Sequence, residues 1–300
     1  MNTDNYFTNC NMCPRKCSAD RTKSTGFCNA SDKLKISKVS LHMWEEPCIS
    51  GEQGSGTIFF SNCNLKCVFC QNYHISQKGF GKEISVERLA EIFLEQQERG
   101  ANNINLVTPT HYAFQIIKAI KIAKNNGLTL PILYNSNGYE SVETIKLLKD
   151  YIDVYLPDLK YYNDKYAIKY SKAPFYFETA TKAIDEMYKN VGSVQFDDKG
   201  MIKKGVIIRH LMLPHLLFDS KKVMDYIFKT YGHNVYISLM NQYTPMYNAE
   251  IYPEISKPLK PEMYDALIDY CLSIGIKNAF IQESGTSSTA FVPDFDLEGV

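Results

Sequence analysis

The sequence predicts a parallel α/β protein, built either as a barrel or as a doubly wound sheet. Two observations carry this. Short β-branched or aromatic runs alternate with amphipathic helical stretches from residue 57 to residue 282, the pattern of β/α units with parallel strands. Residues 206–213 form a nearly continuous apolar run, as expected of a strand covered on both faces. A chain of 300 residues, 45% of them hydrophobic, can bury about 75% of its unfolded surface in one large core. No repeat, low-complexity tract or long linker interrupts it.

The elements follow in order. Residues 57–61, preceded by Gly54 and Gly56, read as a strand. Over 85–99 the apolar residues Val86, Leu89, Ile92 and Phe93 recur at helical spacing, with Ser85 as N-cap and Gly100 at the end. A strand over 103–107 is stopped by Pro109. A helix over 113–126 carries Phe114, Ile116, Ile120 and Ala123 and closes at Gly127. Strands over 131–134, 152–156, 235–239 and 279–282 alternate with helices over 142–149, 175–188, 221–231 and 261–274.

Charge and composition exclude some function classes. The chain has 33 basic and 33 acidic side chains, and this balance argues against a dedicated nucleic-acid surface. The first thirty residues are polar, without the apolar stretch of a secretory signal. No run reaches eighteen apolar residues, so no membrane span is expected. The expected location is the cytoplasm, where clustered cysteines are metal ligands more often than disulfides.

There are nine cysteines, and eight fall in the first quarter of the chain. One group is Cys63-x3-Cys67-x2-Cys70. A three-cysteine loop of this spacing can hold three irons of a [4Fe–4S] cube and leave the fourth open for a cofactor; a zinc knuckle is the alternative. The other group is Cys10-x2-Cys13-x3-Cys17-x10-Cys28. Its segment has little apolar content, and four thiolates suit zinc or a second iron–sulfur cluster equally well. Cys48 and Cys271 read as small buried hydrophobes.

The first group follows directly on the strand at 57–61, and Phe69 precedes its third cysteine. In this context the sequence resembles the radical S-adenosylmethionine (SAM) superfamily, and within it the branch of pyruvate formate-lyase activating enzymes, PflX-type. The runs 45–51 and 54–76 carry the likeness. The resemblance implies a partial (β/α)6 barrel over 51–300, with 1–50 as a small cysteine-rich metal-binding extension. It implies a [4Fe–4S] cluster on Cys63, Cys67 and Cys70. This cluster would pass one electron to S-adenosyl-L-methionine, received from a donor such as flavodoxin or ferredoxin. A 5′-deoxyadenosyl radical would result and would take hydrogen from a substrate. A protein of the glycyl-radical type is one candidate substrate. The other reading is an electron carrier or metal-stabilised binding protein without such chemistry.

Candidate cofactor residues lie where strands end. Asn137 belongs to an Asn-Gly that resembles the activating enzymes and also reads as a plain turn. Asp158 and Lys160 match an Asp-x-Lys motif and share one side of an extended segment. Arg209 suits a cofactor carboxylate, but inside an apolar strand it needs a partner, which could be a core glutamate. Two departures from the family stand out. Residues 107–111 (Val-Thr-Pro-Thr-His) replace a Gly-Gly-Glu stretch, leaving Thr108 as a possible oxygen donor. Residues 241–243 (Asn-Gln-Tyr) stand where a histidine is expected. His111, His210 and His215 read as hydrogen-bonded structural residues.

Overall fold

The computed structural model describes residues 5–282 and 293–300. Its strands are β1 (Leu34–His42), β2 (Ser55–Phe60), β3 (Lys82–Ile84), β4 (Ile104–Val107), β5 (Ile132–Ser136), β6 (Val154–Pro157), β7 (Gln195–Phe196), β8 (Ile202–Leu211), β9 (Tyr236–Met240) and β10 (Ala279–Ile281). Its α-helices are α1 (Asn5–Thr8), α2 (Pro47–Ser50), α3 (Tyr73–Ser76), α4 (Val86–Glu98), α5 (Ala113–Asn125), α6 (Val142–Leu147), α7 (Asp164–Ser171), α8 (Tyr176–Val191), α9 (Leu217–Tyr231) and α10 (Pro261–Ser273).

One sheet runs in the order β10-β9-β8-β6-β5-β4-β2-β1-β3, with β7 paired to β8. The strands β2, β4, β5, β6, β8 and β9 are parallel neighbours, and the three-residue β10 adds one more. β1 pairs antiparallel with β2 and with β3. The order does not close on itself: of the two forms that the alternation allows, this is the barrel, and it is the partial one that the resemblance implies. No helix among the described residues is long and apolar enough to cross a membrane.

The parallel strands are buried on both faces, and the two faces have different work. Ile132, Tyr134, Tyr155, Val206 and Ile208 point into the main core with the helices. Leu133, Val154, Leu156 and Ile207 point the other way, onto Cys48 and Ile49. Because side chains alternate with period two, this second face continues into Asn135, Asp158 and Arg209. An apolar layer therefore lies under a polar one, and the polar layer sits at the C-terminal ends of the strands.

Several elements are longer than the sequence predicts. β5 continues through Asn135 and Ser136. β8 starts at Ile202, where its extra residues pair with β7. α8 runs on to Val191 and stops at Gly192. α4 has the expected cap, Ser85 Oγ accepting the Arg88 N–H at 3.0 Å, and Leu89, Ile92 and Phe93 face the core. Phe93 is fully buried. Phe93→Ala should cost about 3–5 kcal/mol, read as a lower urea midpoint under anaerobic conditions; a loss below about 1 kcal/mol would contradict this packing.

Candidate active site

β2 ends at Phe60, and the cysteine loop begins three residues later. Backbone bonds pin this loop to the end of α7: Val68 N–H donates to Tyr170 O at 2.8 Å, and Lys66 N–H to Ser171 O at 3.0 Å. Cys63 and Cys67 are buried and Cys70 half-buried. All nine cysteines are free. Each thiol of the loop has its own polar neighbour. Asn137 Nδ2 and Leu65 N–H both donate to Cys63 Sγ at 3.4 Å. Ser171 Oγ lies 3.1 Å from Cys67 Sγ, and Ser76 Oγ lies 3.2 Å from Cys70 Sγ.

Burial and the neighbouring cysteines push the Cys63 thiol up to about 12 and the Cys70 thiol up to about 11. Three thiols that would repel as bare anions therefore need a cationic centre to become thiolates, and loading that centre releases protons. The loop fits a cluster on these grounds: tight spacing, shared burial, and donors to each sulfur of the kind that tune cluster potentials.

Beside the loop lies a charged layer made from strand ends. Lys160 Nζ is 2.6 Å from Asp158 Oδ2. Arg209 Nε and Nη2 are each 3.2 Å from Asp158 Oδ1. Asp158 and Arg209 also pair as backbone neighbours, extending the contact between β6 and β8. Arg209 Nη2 donates to Asn135 Oδ1 at 2.6 Å, and Nη1 is 3.6 Å from Glu45 Oε2. The arginine thus has the core glutamate that the sequence allowed and, in addition, a strand-end aspartate that it did not suggest. Burial alone would push the Asp158 carboxyl up, but Lys160 and Arg209 outweigh it and hold it below the ordinary range. Burial does win at Glu45, which rises to about 7 despite Arg209.

A cavity of about 250 Å³ opens between the loop and this layer. Cys67, Cys70 and Phe69 line one side, and Asp158, Lys160 and Arg209 the other. Phe69 is buried and meets the Tyr243 ring edge-on at 5.8 Å. Asn137 lies outside the lining and touches Cys63 and Asn64 instead. Its turn is more than a plain one. A side chain on Gly138 would begin 2.1 Å from Asp158 O, and φ is +77°, so glycine alone lets the end of β5 pack on the end of β6. Among the described histidines, His210 bonds Leu159 O and Ser220 Oγ, and His111 bonds Ser61 O; both are structural.

Three contributors escape a reading by motif. Glu45 and Asn135 line the cavity through Arg209. The Tyr176 hydroxyl lies 2.9 Å from the carbonyls of both Asn137 and Asp158 and accepts the Lys160 N–H. The buried pair of Glu45 and Arg209, far apart in sequence, has no local pattern. Asn135 became visible only when β5 proved two residues longer.

Residues 57–216 match the radical SAM superfamily. The chain belongs to that superfamily. A protein named "Uncharacterized protein MJ0674", from Methanocaldococcus jannaschii, is 34% identical over 275 residues, which is 88% of this chain and 75% of that one. The radical SAM fold is shared with the FeFe-hydrogenase maturase HydG from Carboxydothermus hydrogenoformans, at a TM-score of 0.51 and 16% identity. That alignment covers 79% of this chain and 56% of the maturase, so the likeness spans little more than half of the larger protein. A domain of pyruvate-formate lyase-activating enzyme from Bacteroides vulgatus aligns over 61% of this chain at 13% identity and a TM-score of 0.43. Radical SAM proteins use a [4Fe–4S] cluster and S-adenosylmethionine and require a reductant.

Asp158 is the keystone of the charged layer, so Asp158→Asn should cost about 3–5 kcal/mol by leaving two buried cations poorly paired. The pH dependence has a definite sign. A carboxyl held below its unfolded value stabilises above about pH 4, and that stability is lost as pH falls through the folded value. Urea midpoints of the variant should therefore approach those of the wild type as pH drops below about 4; a constant difference at all pH would contradict the pairing.

Proposed function

We propose that Cys63, Cys67 and Cys70 hold the [4Fe–4S] cluster and that the adjoining cavity takes S-adenosylmethionine. The observation that carries this is the meeting of Cys67 and Cys70 with Asp158, Lys160 and Arg209 around one cavity. When bound, the cluster supplies the electron that cleaves S-adenosylmethionine to methionine and a 5′-deoxyadenosyl radical. The chain's own residues supply position and charge. Lys160, held by Asp158, presents a cation to the cofactor carboxylate. Arg209 is already occupied by Asp158 and Glu45, so it acts by fixing Asp158 rather than by gripping the cofactor first. Ser171, Ser76 and Asn137 orient the three sulfurs. Buried Phe69 and Tyr243 exclude water behind the loop.

A closed electron carrier would need a fourth thiolate at this loop. Cys48 does not supply it: it packs with Ile49, Leu133 and Leu156 in the apolar layer. The cysteine trio with a cavity in front of it favours substrate chemistry. For the substrate, a protein segment is the best-supported class. Trp44 lines the cavity and stands 68% exposed, with Met43 beside it at 44%, and large exposed apolar groups at a rim suit a peptide. Activation of a glycyl-radical enzyme, in the manner of the PflX-type likeness, is the finer form of this reading, with a flavodoxin or ferredoxin as electron donor.

The test is anaerobic. The reconstituted, reduced protein should release 5′-deoxyadenosine from S-adenosylmethionine. Cys67→Ala should abolish release, and Lys160→Met should lower it at least about tenfold by weakening cofactor binding. A protein that holds a reducible cluster yet yields no 5′-deoxyadenosine would contradict the proposal.

A further inference from the structure

Cys10, Cys13, Cys17 and Cys28 have no task in the chemistry above, yet they are folded with care. Cys10 N–H donates to Ala19 O at 3.1 Å and Ser18 N–H to Cys10 O at 3.0 Å, closing a small loop around Cys13 and Cys17. Lys16 and Ser18 take positive φ values, 41° and 51°, to make it. Cys28 returns to this loop through a turn in which Asn29 N–H donates to Gly26 O. A side chain on Gly26 would begin 2.6 Å from Cys17 Sγ, so that sulfur rests directly on the glycine. Cys17 Sγ also reaches Cys10 O at 4.0 Å, so these segments meet in one place.

A second, independent observation is the charge around them. Arg21 is 1% exposed. Its guanidinium meets carbonyl oxygens of His111, Ala30 and Ser31, and the sulfurs of Met12 and Cys10, the latter at 3.9 Å. Arg15 lies between the two cysteine groups. Its Nε donates to Asn64 O, next to Cys63, and its guanidinium lies 3.8 Å over the Phe27 ring, next to Cys28. Its Nη2 is buried without a partner among the described residues. Neither arginine forms an ion pair with a carboxylate among the described residues. A buried cation without a counter-charge costs several kcal/mol, and the groups placed to supply that charge are the cysteine sulfurs.

We propose that Cys10, Cys13, Cys17 and Cys28 hold a second iron–sulfur cluster, closed by four thiolates, with Arg21 and Arg15 balancing its negative charge. A four-iron cube gives each of four thiolates its own iron, and the metal count below separates it from a single zinc ion. The assignment does not depend on the first cluster.

The test separates the two sites by counting metal and acid-labile sulfide per chain after anaerobic reconstitution, followed by gel filtration. The wild type should carry about eight irons, and a Cys63→Ala/Cys67→Ala/Cys70→Ala variant about four irons with four sulfides and no zinc. Adding Cys10→Ser and Cys13→Ser to that variant should remove the remainder. A triple variant that holds one zinc, or no metal at all, overturns the second cluster. Should the N-terminal substitutions prevent folding, the count on the triple variant decides alone. Failure of the first site's chemistry would instead appear as missing 5′-deoxyadenosine with the N-terminal iron intact.

Discussion

A buried aspartate between two cations holds the working end of this barrel together. Asp158 takes Lys160 on one oxygen and Arg209 on the other, and by doing so fastens the end of β6 to β8. The neighbouring strand end is bound to the same point. Gly138 packs against the Asp158 carbonyl, and the Tyr176 hydroxyl spans from Asp158 to Asn137. Asn137 in turn reaches the sulfur of Cys63. A short chain of contacts therefore connects the charged layer to the cysteine loop. Ion pairs at such depth rarely add net stability. Their use here is to fix positions around a cavity where charge must be placed accurately.

The same economy governs the sheet. Parallel strands buried on both faces leave few sites for polar side chains, and period-two alternation decides which survive. On the inner face, apolar Leu133, Leu156 and Ile207 are followed two residues later by Asn135, Asp158 and Arg209. The polar residues come at the C-terminal ends, where functional groups of β/α barrels collect. The cysteine loop leaves β2 at that same end. The superfamily's site is in this sense a consequence of strand length: one more turn of the alternation carries each strand from core into cavity.

Much of this was legible in the sequence, and the exceptions have physical causes. The cysteine spacing, the N-cap at Ser85 and the alternation of β and α were local signals and gave the architecture. Asp158 and Lys160 could be paired because an extended segment puts them on one side. β1 was not read because a register shift between Ile36 and Lys38 breaks its alternation, and Lys35 and Lys38 disguise it further. α7 is only eight residues long, too short for a periodic pattern. Glu45 was invisible as a partner of Arg209 because 164 positions separate the two. The burial of Arg21 beside the N-terminal cysteines is announced by no sequence pattern.

The central claim is that the loop cluster keeps an open position facing the cavity. Electron paramagnetic resonance of the reduced protein, recorded before and after adding S-adenosylmethionine, tests this without requiring turnover. To keep a single signal, the N-terminal cysteines are replaced and the loop cluster alone is reduced. The account predicts that S-adenosylmethionine changes the g-values, and that the change is weakened in Lys160→Met. A signal that is unaltered by saturating S-adenosylmethionine would mean a fully ligated cluster and would contradict the account.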